Sequence, residues 1–410
     1  MTRDTCFDII IVGAGPAGLF CAVTAGADRK RVLLLDKNTG PGKKLLLAGS
    51  GQCNITHDGP VKEFLTHYGD HGAFLKPALM NFSNTALITF FEERGLGMTT
   101  TKTGKVFPAT LRSGDVLQIL ENECRTAGVT THYSNPVMEI SSKSDQFSVV
   151  TRNANFSGKS LVICTGGASY PGTGSTGDGY RLAASLGHTI TETAPALSPV
   201  IIDKYPFCEL AGVSFDSLVF SVWRDGKKTG SHKGDLLFTH QGLSGPGILD
   251  YSRFIRPGDI LRLSFVGPVR KEQFVKEISE KIVTHPVSHV KTVVLYYKVP
   301  ERLATLLLYL SGITENLTCA HLTKEKRNVL ISNMVEFPLK VGKLGGFNEA
   351  MVTRGGVFLP EINPKTMESR LVPGLYFAGE IIDIDGDTGG YNLQAAFSTG
   401  FLAAKSIIRQ

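Results

Sequence analysis

The sequence predicts an α/β protein. A parallel sheet flanked by helices is discontinuous in the chain, and a β-barrel plus helical module is inserted into it. Three observations carry this reading. The stretch FDIIIVGAGPAG runs from Phe7 into a glycine-rich turn and helix, and RVLLLD follows as a second strand. Residues 196 to 266 switch to short apolar–polar alternation, and 271 to 335 to charged helical patterning. Near Gly355 the glycine-rich α/β character returns. The expected boundaries are 1–193 and 346–410 for the two parts of one domain, 194–270 for the β-rich insertion and 271–345 for a helical one.

The first segment is the most explicit. Phe7 to Val12 is apolar and β-branched, as a buried parallel strand requires. Gly13, Gly15 and Gly18 follow in G-x-G-x-x-G spacing. In that spacing the first glycine makes the turn, the second admits a pyrophosphate, and the third lets helix pack on strand. Pro16 suits a first helical turn, where no N–H is needed, and Ala17 is small enough to follow it. The free amides of that turn favour phosphate. Asp36, 18 residues beyond Gly18, ends the second strand where an acid meets ribose hydroxyls. Lys37 and a loop from Gly40 to Asn54 come next. There Lys43 and Lys44 suit phosphate, and Gly49, Ser50 and Gly51 bring backbone against a flat ring or a phosphate.

Further along, residues 73 to 95 carry helical spacing, and Ser113 to Ala127 reads as a helix capped by Ser113 with Asp115 in its first turn. Val137 to Ile140 and Phe147 to Thr151 form a hairpin. Leu161 to Cys164 is a short strand running into Thr165, Gly166 and Gly167, and Tyr180 to Leu186 is a helix. Turns at Asp225-Gly226, Gly242, Pro246 and Pro257-Gly258 punctuate the alternating region, which suggests a small barrel. Leu375 to Ala378 is a strand ended by Gly379 and Glu380, and a last helix begins near Asn392.

Composition narrows the function classes. The chain has 410 residues, 42% of them hydrophobic and 20% charged, as in an ordinary soluble globular protein of more than one domain. The net charge of +6 admits an anionic cofactor or substrate but makes no case for nucleic acid. The Lys and Arg of 271–335 alternate with Glu, as on a solvated helical face. Seven scattered cysteines without a C-x-x-C pair read as reduced thiols in a cytoplasmic protein. No membrane span is expected, because no run of 18 apolar residues exists. His285 and His289 have metal-like spacing, but Pro286 breaks the helix that would align them, so no metal is expected.

The motifs GAGPAGL at Gly13, GKKLLLAGSGQCNIT at Gly42, CTGGASYPGTGSTGDGY at Cys164, LLFTHQGLSGP at Leu236, and the run from Glu361 to Gly400 cover nearly the whole chain. In them the chain resembles the NAD(P)/FAD-dependent oxidoreductases of aminoacetone oxidase and bile-acid 3-oxo reductase type, distant relatives of fumarate reductase flavoprotein subunits. The resemblance implies a discontinuous Rossmann-like domain binding FAD. It places Glu380 on the ribitol, Asp178 on the cofactor and Val137 at the adenine; from its position alone Asp178 also reads as an N-cap for the Tyr180 helix. It also places the opening of the last helix, Gly390, Tyr391, Asn392, Leu393 and Gln394, at the flavin pyrimidine edge. Cys53 and Asn54 fall in the flavin loop, Cys53 as a structural thiol. The family usually has Ser at Ala48, Gly at Ser50 and Arg at Gln52, so this chain lacks a fixed cation beside the flavin.

The expected activity is FAD-dependent oxidoreduction of a small organic carbonyl, amine or C=C substrate. NAD(P)H binds only transiently or oxygen takes its place, because no second G-x-G-x-x-G follows a strand. An RNA-modifying flavoprotein and a flavin-holding redox sensor are the alternatives. The acid–base candidates are His240 in FTHQGLSGP, and Tyr170 and Tyr391 beside cofactor motifs. The sequence leaves the oligomeric state open.

Overall fold

The computed structural model describes residues 6–143 and 146–410. The chain forms two compact units, residues 1–196 with 347–410, and residues 197–346.

The first unit is built on one sheet. Cys6–Val12 lies parallel to Val32–Leu35 on one side and to Asn155–Ile163 on the other. Thr130–His132 extends the sheet beyond Val32–Leu35. The far edge of Asn155–Ile163 is shared. Its first half pairs antiparallel with Gln146–Thr151, which pairs in turn with Val137–Lys143, and its second half pairs parallel with Leu375–Phe377. The last of these strands comes from beyond the insertion and completes the sheet where the expected hairpin leaves it. Ile9, Ile10, Ile11 and Leu33 to Leu35 are fully buried, which is why these strands read as unbroken apolar runs. Helices Pro16–Ala27 and Tyr391–Ile408 pack closely, with Gly400 over the Ala17 carbonyl: a Cβ there would lie 2.3 Å from that oxygen.

Local expectations are adjusted in three places. The helical stretch 73–95 is two helices, Gly72–Asn81 and Asn84–Glu92. They part at Ser83, whose hydroxyl accepts from the Ala86 amide and caps the second. Ser113 is the first residue of its helix rather than its cap, which is Arg112, and its hydroxyl donates instead to the Leu46 carbonyl. The helix expected from Tyr180 starts at Asp178, with Gly177 as its left-handed cap residue.

The second unit is a closed barrel. In order around it run Val200–Ile202, Gly242–Ser244, Lys227–Phe238, Ser214–Arg224, Ile260–Ser264 and Phe337–Leu344, which returns to the first. The expected division at 270 does not separate two domains. The closing strand Phe337–Leu344 follows the helices Lys271–Thr284, Val290–Leu295, Glu301–Leu310 and Lys324–Val335 in sequence. Phe274, Ile278, Leu303 and Met334 share one buried core with Phe220, Leu261 and Leu339 of the barrel. A charged helical stretch between two barrel strands has an apolar stripe that only the barrel can cover. All seven cysteines are free thiols. No helix of the described residues is long and apolar enough to cross a membrane.

Candidate cofactor and active site

The glycine loop is shaped from its backbone outward. Gly13 has φ +106°, and a Cβ there would lie 2.4 Å from the Cys164 carbonyl oxygen. At Gly18 a Cβ would lie 1.9 Å from the Gly13 oxygen. Both positions exclude a side chain for reasons internal to the fold. Gly15 differs, because nothing lies within 4 Å of where its Cβ would stand. Asp36 braces the loop, its carboxylate accepting from the amides of Ala14 at 2.7 Å and Asn38 at 2.8 Å. Each oxygen keeps a lone pair for a further donor.

The loop after the second strand is a 3-10 turn over Leu45–Gly51 whose centre leaves helical geometry. Gly49, Ser50, Gly51 and Cys53 all have positive φ, +57°, +56°, +88° and +62°. Ser50 thus occupies the left-handed conformation that suits the glycine found in the resembled family. Cys53 is fully buried, and burial pushes its thiol up to about 12, so it is a structural thiol. The Asn54 Oδ1 is buried with no hydrogen-bond partner among the described residues, and so is the Thr165 hydroxyl, next to Gly166 at φ +72°.

A polar network joins three distant stretches. Lys44 Nζ donates to both oxygens of Glu380, at 2.9 and 2.7 Å. Glu380 Oε1 also accepts from the Thr353 amide at 2.9 Å. The Thr353 hydroxyl, fully buried, accepts from the amides of Ala168 and Ser169. Gly167 must be glycine here, since a Cβ would meet Thr353 Oγ1 at 2.4 Å and Glu380 Oε1 at 2.9 Å. Thr353 was not legible as a site residue, because its sequence neighbours carry no motif. Tyr180 is another such residue. Its hydroxyl is buried without a partner among the described residues, and burial, then the nearby Glu380 and Asp383, push the phenol well above its ordinary range.

Asp178 pairs with Lys37 at 2.5 Å and accepts from the Thr176 hydroxyl. Burial works to raise its pKa, but those two bonds, with the positive charges of Lys37 and Arg181, outweigh it and hold the carboxyl below the usual range. Asp178 is the first residue of its helix and Gly177 holds the cap position, so the cap reading of Asp178 is corrected. Val137 is buried at the start of its strand, opposite Thr151. Gly379, at φ +77°, donates to the Thr399 hydroxyl and stands over Ala17, where a Cβ would meet the Ala17 methyl at 2.9 Å.

The opening of the last helix spends its side chains within the first unit. Gly390 has φ +98°, and a Cβ there would strike the Thr56 carbonyl at 2.4 Å. The Asn392 side chain accepts from the Gly386 amide and donates to the Gly386 and Asp387 carbonyls, so it is spent within the turn. Gln394 is fully buried, holding Thr56, Phe82 and Ser398, and its amide nitrogen bonds Gly390. Its side chain braces the turn, which leaves the expected role to the backbone amides of this helix end. Leu393 is half-buried against the core. The Tyr391 ring is 5% exposed and stacks on His67 at 4.0 Å and His57 at 5.1 Å, which makes it a packing element rather than a presented phenol. His67 Nδ1 lies 3.0 Å from Asp387. Tyr170 is half-buried at φ +55°, a strained conformation for a bulky residue. His240 belongs to the second unit, on the exposed turn between Lys227–Phe238 and Gly242–Ser244. The Thr239 hydroxyl, not the imidazole, satisfies that turn.

The residues fit a dinucleotide. One glycine faces open space, an acid ends the second strand, and buried polar atoms of Asn54 and Thr165 wait for partners. Together with the family match and the relatives, this gives the class, an FAD-dependent oxidoreductase with a Rossmann-like cofactor domain. The chain belongs to the family described as HI0933-like protein Rossmann domain, which matches residues 7–406. It is 32% identical to a ribosomal RNA dihydrouridine synthase of Escherichia coli strain K12, over 98% of both chains. It is 30% identical to a 3-dehydro-bile acid delta(4,6)-reductase of Clostridium scindens, over 97% of this chain and 98% of the other. In fold it is similar to a 3-ketosteroid-delta4-(5alpha)-dehydrogenase from Rhodococcus jostii RHA1, with TM-score 0.51 and 14% identity over 100% of this chain and 98% of that one.

Proposed function

We propose that the protein reduces a carbon–carbon double bond conjugated to a carbonyl. One observation carries the reading. Two relatives aligned over nearly their whole lengths are named for unlike substrates, yet the names describe one bond change. A dihydrouridine is a uridine whose ring double bond, conjugated to a carbonyl, has been saturated. A delta(4,6)-reductase acting on a 3-dehydro bile acid saturates a double bond in conjugation with a ketone.

FAD, once bound and reduced, supplies the hydride equivalent for such a step. The chain's part is to hold and aim it. Gly13, Gly15, Pro16 and the amides after them serve the pyrophosphate, and Asp36 the adenosine ribose. Gly49 to Gly51, Asn54 and Thr165 line the cradle with backbone and unpartnered polar atoms. Glu380, fixed by Lys44 and Thr353, is placed to take ribitol hydroxyls. The amides at Tyr391 and Asn392 present a helix N-terminus toward negative charge. Saturating the bond also takes a proton at the carbon next to the carbonyl. Of the three acid–base candidates, Tyr170 and His240 have side chains that are not spent on core packing. NAD(P)H is the proposed reductant, bound transiently.

The test is anaerobic. The holoenzyme is reduced with NADPH or dithionite and mixed with a panel of enones and with uridine-containing RNA. Flavin absorbance and product mass are followed. Reoxidation by a conjugated alkene with a gain of two hydrogens is expected. Reoxidation by oxygen alone, with every alkene recovered unchanged, would overturn the reading.

A further inference from the structure

We propose that the outer face of the inserted barrel is a docking surface for single-stranded RNA. This deepens the reading above and rests on it, by naming the carrier of the double bond. The first support is the distribution of charge. Of the chain's 43 Lys and Arg and 37 Asp and Glu, 20 and 14 fall in residues 197–346, which leaves 23 and 23 in the other unit. The whole net charge of +6 therefore belongs to the barrel unit, and the cofactor unit is neutral. A net positive charge confined to one unit attracts a polyanion to that unit.

The second support is where the cations stand. On Ser214–Arg224, Leu218, Phe220 and Val222 point into the barrel, so Trp223 points out. Lys228 lies opposite Trp223 on the neighbouring strand, and Lys233 opposite Val219, both exposed and outward. On the other side Arg262 and Lys340 continue the same face across Ile260–Ser264 and Phe337–Leu344. Four adjacent strands thus carry four cations around an indole. The Arg262 guanidinium lies 4.1 Å over the Trp223 ring. Flat groups beside cations form a platform on which bases stack while phosphates are neutralised.

Acids offset part of the face: two of the four cations are paired, and exposed Asp235 lies two residues along the strand from Lys233. Glu336 pairs with Arg262 at 3.6 Å and also with Lys271, and Asp203 lies 3.8 Å from Lys340. Lys228 and Lys233 make no ion pair among the described residues. The plainer role for lysines on the partly unpaired edge of Lys227–Phe238 is to discourage edge-to-edge association. That role explains neither the arginine stacked on the indole two strands away nor the neutrality of the other unit.

The experiment uses the holoenzyme and a labelled single-stranded RNA of about 16 nucleotides, a length such platforms span. Fluorescence anisotropy gives Kd against salt. Trp223, the only tryptophan in the chain, reports on the face itself. RNA is expected to bind and to quench that fluorescence. In the double variant Lys228→Ala/Lys233→Ala, the salt slope should fall by about 1.4 and Kd should rise about 10–30-fold near 0.1 M salt. No binding, or binding indifferent to the double variant, overturns the proposal. So does equal binding of heparin, a polyanion without bases, with no quenching. Flavin reoxidation by a free enone is run on the same proteins and is expected to be unchanged in the double variant. Failure of that reaction in the wild type sinks the reduction reading alone, whereas intact enone reduction without face-dependent RNA binding sinks the docking surface alone.

Discussion

The glycine loop at Gly13–Gly18 and the opening of the last helix at Gly386–Gln394 look alike in sequence. Both are glycine-rich turns leading into helices, and both suit a cofactor. Their side chains are used in opposite ways. The first leaves Gly15 facing open space, with unpartnered atoms of Asn54 and Thr165 in the same unit. In the second, Asn392 is bound to Gly386 and Asp387, Gln394 to Thr56, Phe82 and Ser398, and Tyr391 is stacked between two imidazoles. One turn keeps capacity for a ligand. The other spends its side chains on holding a helix end in place and has only backbone left to offer.

Substitutions sharpen that contrast. The largest effect is expected at Gly18, where an added methyl meets the Gly13 carbonyl. Gly18→Ala should lower stability by about 3 kcal/mol or more and leave little folded protein in thermal melts. Gly15→Val is expected to keep the fold, because nothing protein-made occupies that space, yet to purify without FAD. Normal flavin absorbance in that variant would break the placement of the cofactor.

Gln394→Ala comes next. It strips partners from the buried Thr56, Ser398 and Phe82 groups, so stability should fall by about 2–4 kcal/mol in urea unfolding. If FAD affinity fell instead with stability intact, the bracing role would be wrong. The smallest effect is expected at Ser50, which holds φ +56°. Ser50→Gly should relieve left-handed strain against a gain in unfolded-state entropy, for a net stabilisation of about 0.5 kcal/mol and a small rise in Tm.

Much of the cofactor half was legible because its signals are local. An apolar β-branched run, glycines at fixed spacing and an acid ending the next strand each act within a few residues of themselves, so Phe7 to Asp36 reads without any tertiary knowledge. The motif resemblance carried the same reading to Glu380 and the last helix. Side-chain assignments failed where the partner is remote. Ser113 resembles a cap but bonds Leu46, and nothing in the sequence says that the Gln394 side chain holds Thr56, 338 residues away.

What the sequence determined by itself is the strand, glycine turn, helix and second strand of Phe7 to Asp36, which depend on period and spacing along the chain, while the chemistry class came with the motif resemblance. What only the tertiary structure decided is which groups remain unsatisfied and how charge divides between units. Thr353 becomes a hub because folding brings Ala168, Ser169 and Glu380 onto one hydroxyl and amide. The barrel gathers its helices into one core because Phe337–Leu344, coded after them, closes the sheet. A modest net charge spread over 410 residues becomes a net positive charge confined to one unit once 150 of them fold as their own unit. Hydrogen-bond satisfaction and electrostatic potential depend on distances through space, which linear order does not encode.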